Sequence, residues 1–315
     1  MSDDIAQTDH VRLVGLTTVR NEGDIIAQSL DHAARLYDLI LVVDCGSWDD
    51  TVARVKDVAA KHPHVVLLGT VDGGYAESVR RHVFARFTKQ LPPRSWWGIV
   101  DADEFPAEDL RSVVATAHRE GADHVAFEMA QFYLTRREVE AGLGGSHDRH
   151  LPMQERRRAY IMDGSWWRLF RNLPWLRWNK DTSWPTWLVR RGSRRIEIRH
   201  YQYRDLEQIR LRIDTRAQLA LRPEFLQMHP HWRPQSVEAC LMDDADPRLR
   251  WAESGQPLIR DAQMPAHWVT HWSHSAFHYA RAILSARTPQ RAAELLAEVD
   301  VQAVLHRMRS PRTAG

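Results

Sequence analysis

Along the first 130 residues, the order of apolar and polar positions predicts strands and helices in alternation. Residues 11–19, VRLVGLTTV, read as a strand. After Asn21, placed to cap a helix, Ile26, Leu30, Ala33 and Tyr37 recur at i, i+4, i+7 and i+11, which is one helical face. The continuous apolar run LILVVD, 39–44, suits a strand covered on both sides. A turn, CGSWDD, leads to a second helix, TVARVKDVAAKH, with Val52, Val55 and Ala59 on one side. HVVLLGT, 64–70, is a third strand, and Val79, Val83 and Phe87 keep helical register from Tyr75 to Gln90. WGIV, 97–100, is a fourth strand. Pro106 is placed to open the next helix and Gly121 to close it, before a fifth strand, HVAFEM, at 124–129.

This order means an α/β fold, with an open, mixed but mainly parallel sheet and helices on both faces. Such sheets bind ligands in the crevice beyond the carboxyl ends of their strands. From about 130 to 195 the periodicity gives way to an irregular stretch rich in Trp and Arg. RRIEIRHYQYR then alternates as a strand ending near His200, and DLEQIRLRIDTRAQLALR reads as a helix. Beyond about 225 the chain is punctuated by proline and yields two helices, near 275–286 and 289–308. The expected division is a main unit over 1–225 and a mainly helical C-terminal extension over 226–315.

Composition narrows the classes. The net charge is +2, so the field of the whole molecule says little about partners. Between Arg149 and Arg212, however, sixteen Lys or Arg face six Asp or Glu, a local basic surface suited to phosphate groups or an acidic membrane face. A nucleic-acid partner is not expected. Cys45 and Cys240 are the only cysteines, so no disulfide framework is implied. The N-terminus, MSDDIAQTDH, is acidic and polar, unlike a signal peptide, and no apolar run approaches the roughly 20 residues of a membrane helix. A cytoplasmic location is the expectation. Nothing in the pattern sets an oligomeric state.

The stretch WWGIVDADEFP poses the chemical question, because an apolar strand runs into Asp101, Asp103 and Glu104. In an extended segment Asp101 and Asp103 point the same way, and two carboxylates in one pocket repel unless a cation joins them. Oxygen ligands favour Mg2+ or Mn2+, and an added imidazole tilts the choice towards Mn2+. Such an ion can bridge a diphosphate and neutralise charge on a leaving group. Asp44 lies at a second strand end in the same crevice, with the bland alternative that it only terminates its strand. Asp49 and Asp50 are placed to favour the N-terminus of the helix from Thr51.

TTVRNEGDIIAQSLDHAARLYDLILVVDCGSWDDT, DGGYAESVRRH and WWGIVDADEF together resemble glycosyltransferase family 2, with its GT-A fold. The resemblance covers roughly residues 11 to 130 well and extends more loosely to about 215. It implies that Asp101 and Asp103 form the D-x-D motif, the second acid holding a metal under the sugar-nucleotide diphosphate, with Ala102 between them. It places Thr17, Arg20, Asn21 and Glu22 at the nucleotide-facing end of the first strand and Asp44 near the base and ribose. Asp72 and Arg80 flank base and phosphates, and His200 matches a late histidine that joins the metal shell in some members. Three positions depart from the pattern: Cys45, where many members carry Asp or Asn; Trp48, in a turn that is usually small and polar; and His82, where Asn is common.

The resemblance assigns the segment after the D-x-D to the acceptor. The stretch SWWRLFRNLPWLRWNKDTSWPTW holds six of the thirteen tryptophans, and Trp166, Trp167 and Trp184 are the candidates for an acceptor wall, since indole faces suit sugar rings. Trp and Arg together also suit peripheral membrane contact and hence a lipid-linked acceptor. An inverting transfer needs a base beside the acceptor hydroxyl. Asp181, an isolated acid in this segment, is the candidate, with Glu128 and Asp163 as rivals. The expectation is a metal-dependent inverting glycosyltransferase, using a nucleotide-diphosphate sugar (a UDP-sugar first) and a small-molecule, glycan or lipid-linked acceptor. The alternatives are a noncatalytic sugar- or lipid-binding protein of the same fold and a sugar-phosphate nucleotidyltransferase.

Overall fold

The computed structural model describes residues 11–71, 76–107, 109–173, 175–178, 184–185, 188–221, 225–226, 233–253, 258 and 290–308. Strands β1 (Arg12–Val19), β2 (Leu39–Asp44), β3 (Val65–Thr70) and β4 (Ser95–Ile99) alternate with helices α1 (Ile26–Leu36), α2 (Thr51–Lys61) and α3 (Ala76–Phe87), as the periodicity predicts. They form a parallel half-sheet in the order β3-β2-β1-β4. Period two divides its side chains between two cores. Leu13, Ile40, Val42 and Trp96 face one side, under Ile26, Leu30 and Ala33 of α1 and Val55 and Val58 of α2. Val14, Leu16, Leu41, Val43 and Trp97 face the other, under Val79, Val83, Phe84 and Phe87 of α3. Trp96 and Trp97 are both wholly buried, so each anchors one face; truncating a buried Trp to Ala costs about 3–5 kcal/mol. Gly98 is required by close approach, because a Cβ there would collide with the Tyr37 hydroxyl.

Beyond β4 the sheet changes character. β5 (Glu104–Pro106) is a three-residue strand, so Pro106 closes a strand instead of opening a helix. The helix that follows, α4 (Leu110–Arg119), is capped by the Asp109 side chain, which accepts from the Arg111 N–H. β6 (His124–Tyr133), β7 (Ala159–Arg171) and β8 (Arg191–His200) complete the order β4-β7-β6-β8-β5, with β9 (Arg250–Trp251) also paired to β7. β6 and β8 are parallel, while β7 runs antiparallel to β4, β6 and β9.

The stretch expected to be irregular thus contains the strand that joins the two halves of the sheet. Its alternation is broken by register shifts against β6 and by Gly164, at a φ of 74°. The short helices α5 (Arg136–Glu140) and α6 (Met153–Arg156) fill the link between β6 and β7. α7 (Leu206–Leu219) follows β8, and α8 (Val237–Cys240) packs against it.

Helices α9 (Gln290–Ala297) and α10 (Val301–Leu305) return to the N-terminal half. Ala292, Leu296, Val301 and Val304 enter the core beneath α3, and Arg86 donates to the Leu296 and Val299 carbonyls at 3.1 Å each. The helix expected near 275–286 lies outside the described residues. Among the described residues, no helix is long and apolar enough to cross a membrane.

Candidate functional site

β1, β2 and β4 end together, Val19 beside Asp44 and Leu16 beside Ile99. At this edge the chain leaves β4, turns through Asp101–Asp103 and reaches β5, where Glu104 pairs with His200 at the end of β8. The segment is a turn, closed by the Glu104 N–H donating to the Asp101 carbonyl at 3.1 Å. Its acids therefore part, where an extended run would have aligned them. Asp101 meets Arg80 on one oxygen and Arg168, at 3.3 Å, on the other. The Asp103 Oδ2 lies 3.2 Å from His200 Nε2 and 3.9 Å from both Arg204 and Arg212.

These carboxylates tolerate burial through their cations. Burial by itself would raise the Asp103 carboxyl, but His200, Arg212 and Arg204 outweigh it and hold the group well below the usual range. Burial would likewise lower the His200 imidazole, yet Asp103 raises it overall. Glu104 is chelated by Arg168, with Nε to Oε2 at 2.8 Å and a second bond from Nη2 to Oε1; burial still pushes its carboxyl up.

Arg204 organises the neighbouring loop. Its side chain is wholly buried, donating from Nε and Nη2 to Asp24, from Nη2 to Glu22 and from Nη1 to the Tyr201 carbonyl. Glu22 and Asp24 thus close an ion cluster that ties the loop after β1 to the turn after β8. Burial pushes Glu22 up to about 7 against the pull of Arg204, and Asp103 and Asp24 add to the rise. Neither Arg204 nor Arg168 stands out in the sequence. The only signal was their place in RHYQYR and WWRLFR, among many other arginines.

The remaining candidates divide. Asn21 does not cap α1, whose N-cap is Ile25 with no side-chain bond. It has a φ of 55° and bridges three segments: its N–H donates to Ser47 Oγ at 2.9 Å, its Oδ1 accepts from the Trp48 N–H at 3.0 Å, and its Nδ2 donates to Thr215 Oγ1 at 2.9 Å. Asp44 is wholly buried and its carboxylate accepts from the Gly46 and Ser47 N–H groups and the Ser47 hydroxyl, so it builds the CGSWD turn. Thr17 is wholly buried within β1. Asp49 accepts from the Thr51 N–H and hydroxyl at the start of α2, while Asp50 bonds Arg54 at 2.7 Å. Half-buried Arg20 lies over the Trp48 ring, 5.2 Å from its centroid. Ala102 is buried in the turn.

Trp166, Trp167 and Trp184 do come together, with Trp184 at 6.4 Å from Trp166 and 6.0 Å from Trp167. Trp167 and Trp184 pack onto the core beneath α3, leaving Trp166 the more exposed. Glu128 is ion-paired with Arg195 at 3.0 Å, and exposed Asp163 accepts from Gln131 at 3.3 Å. Asp72 and Asp181 lie outside the described residues.

A divalent ion places adjacent ligands about 3 Å apart, given metal–oxygen distances near 2.1 Å. Asp103 Oδ2 and His200 Nε2 match that spacing, and His200 Nδ1 is buried without a hydrogen-bond partner among the described residues. This pair fits as two ligands of one ion. Asp101 does not join them, because both of its oxygens are turned to arginines, and among the described residues no three His, Cys, Asp or Glu gather as a ligand set. The expected trio of Asp101, Asp103 and His200 is thereby reduced to the last two.

The family model described as Glycosyl transferase family 2 matches residues 16–193, more than half of the chain. Among solved structures, S. aureus TarS 1-349 in complex with UDP matches at 18% identity and a TM-score of 0.28, over 40% of this chain and 36% of that one. S. aureus TarS matches at 13% identity and a TM-score of 0.36, over 70% of this chain and 44% of that one. The chain thus spans less than half the length of either. The mannosyltransferase PcManGT from Pyrobaculum calidifontis, in complex with GDP-Man and Mn2+, matches at 18% identity and a TM-score of 0.36, over 96% of this chain and 87% of that one. No curated protein matches the chain.

Proposed function

The chain belongs to glycosyl transferase family 2, and from that premise we propose that it moves a sugar from a nucleotide-diphosphate sugar to a hydroxyl acceptor with inversion at the transferred carbon. The observation that carries this reading is the Asp103–His200 pair, 3.2 Å apart at the carboxyl edge of the parallel strands. A divalent ion held by these two residues, Mn2+ suiting the mixed oxygen and nitrogen donors, would supply positive charge against the diphosphate. The chain's own part is to hold that pair still. His200 is fixed by the pairing of β8 with β5, and Asp103 by its carbonyl, which accepts from the Tyr201 N–H at 2.8 Å. Arg20 and Trp48, on the loops after β1 and β2, suit a phosphate and a base.

The acceptor proton needs a base within hydrogen-bond reach. Asp181 remains the proposed residue, on the sequence ground that it is the isolated acid of the acceptor segment. Glu128 is the weaker rival because its carboxylate is already engaged by Arg195 at 3.0 Å.

Hydrolysis of UDP- and GDP-sugars with Mn2+ tests the reading. Wild-type protein is expected to release nucleotide diphosphate, and Asp103→Ala to reduce the rate by about a hundredfold or more. Absence of turnover with every sugar nucleotide, while the nucleotides still bind, would favour the noncatalytic binder.

A further inference from the structure

A cavity of about 650 Å³ opens beside α5 and α6 and shares no lining residue with the carboxylate site. It lies on the same edge of the sheet. Gln131 pairs with His200 across β6 and β8, and two residues further on Tyr133 pairs with Ala159, which pairs with Trp251. Trp251 on β9 is therefore three strand spacings from His200, about 14 Å across the sheet. The two sites also share a wall, since Arg157 in the cavity lining donates from Nε to the carbonyl of Arg204, the residue that clamps Glu22 and Asp24.

The lining combines three features. Trp251 is 46% exposed, yet its backbone is fixed: the Ala252 N–H donates to the Arg158 carbonyl at 2.7 Å, and Arg158 Nε donates to the Ala252 carbonyl at 2.9 Å. An indole so mounted offers a preformed apolar face. The buried Arg157 makes a rigid floor, its guanidinium donating to the carbonyls of Leu143, Arg156 and Arg204. The rim carries both signs, with exposed Arg137, Arg158 and Glu155 and half-buried Asp148. Donors and acceptors around an aromatic face match a ring that is polar at its hydroxyls and apolar at its C–H faces. A strongly anionic ligand would meet Asp148 and Glu155, and an aliphatic one would leave the rim charges without hydrogen bonds.

We propose that this cavity binds an uncharged saccharide and is the acceptor site; the acceptor assignment rests on the transferase reading above. The volume, within the usual range for small-ligand sites, suits one or two sugar rings.

Saturation-transfer NMR on the full chain, with methyl glycosides of glucose, galactose, mannose and N-acetylglucosamine, tests it. At least one glycoside is expected to bind. Trp251→Ala is expected to weaken it about tenfold, and Trp251→Phe less, as loss of an aromatic platform predicts. Arg137→Ala, a change on the exposed rim that leaves the fold intact, should weaken it too. UDP and GDP should bind all three variants as they bind wild type. Failure of every glycoside to bind, or unchanged glycoside affinity in Trp251→Ala, would overturn the proposal, as would displacement of the glycoside by nucleotide alone. If the glycoside binds as expected but the wild-type protein turns over no sugar nucleotide, the transferase reading and the acceptor assignment fall and the saccharide site stands.

Discussion

Asn21 shows how residue identity and backbone can disagree with a local pattern. Its place before an apolar-periodic run reads as a cap, yet its left-handed φ of 55° and its three bonds to Ser47, Trp48 and Thr215 make it a junction between distant segments. No spacing rule in the sequence announces a bond to a residue on α7. Glu22, next to it, gives a prediction in pH. Its carboxyl stands at about 7 in the fold against 4.5 ordinarily, so the folded state binds the extra proton. The stabilisation associated with that proton is complete below pH 4.5 and is lost as pH rises through about 7. Thermal unfolding of Glu22→Gln is expected to show a flatter pH dependence than wild type across that window. An unchanged slope would mean that Glu22 does not titrate there.

At the scale of elements, the parallel half-sheet was legible because each strand and helix kept its own period; β1 to β4 and α1 to α3 fall where the apolar positions put them. The acids at 101–103 were also legible in place, though not in geometry, since a turn parts the side chains that a strand would align. β7 was not legible, because bulges and Gly164 break its alternation and its Trp and Arg residues read as loop. The late arginines were hidden for a related reason: their partners are acids far away in the chain. Arg204 is the strongest case. Arg204→Met would leave Glu22 and Asp24 buried without their cation and is expected to cost about 3–5 kcal/mol in denaturant unfolding. Adding Glu22→Gln and Asp24→Asn should recover much of that loss, since no buried charge then stands alone. A triple variant no more stable than Arg204→Met would show that packing, and not charge, sets the cost.

For the whole molecule, the last two helices share the core of the N-terminal half. α9 and α10 place Leu296, Val301 and Val304 against the same apolar face as Val79 and Phe87. A chain ended at residue 289 would uncover that face, and burial of three such side chains is worth about 3–5 kcal/mol after ordering costs. The shortened protein is expected to melt at lower temperature and to gain dye-accessible apolar surface; an unchanged melting curve would argue for an autonomous tail. A different consequence follows from the seam of the sheet. All four strands of the half-sheet precede residue 100, with the chain crossing back over β2 and β1 between β3 and β4, so it can assemble while the rest of the chain is still being synthesised. Its join to the second half rests on three rungs, Trp96 with Arg171, Trp97 with Phe170 and Gly98 with Leu169. Closing those rungs brings together stretches far apart in the chain, which is the slow kind of step in folding kinetics. The nascent chain would therefore hold a finished edge at β4, waiting for β7 to emerge, and that interval is when a chaperone or a stray strand could bind in its place.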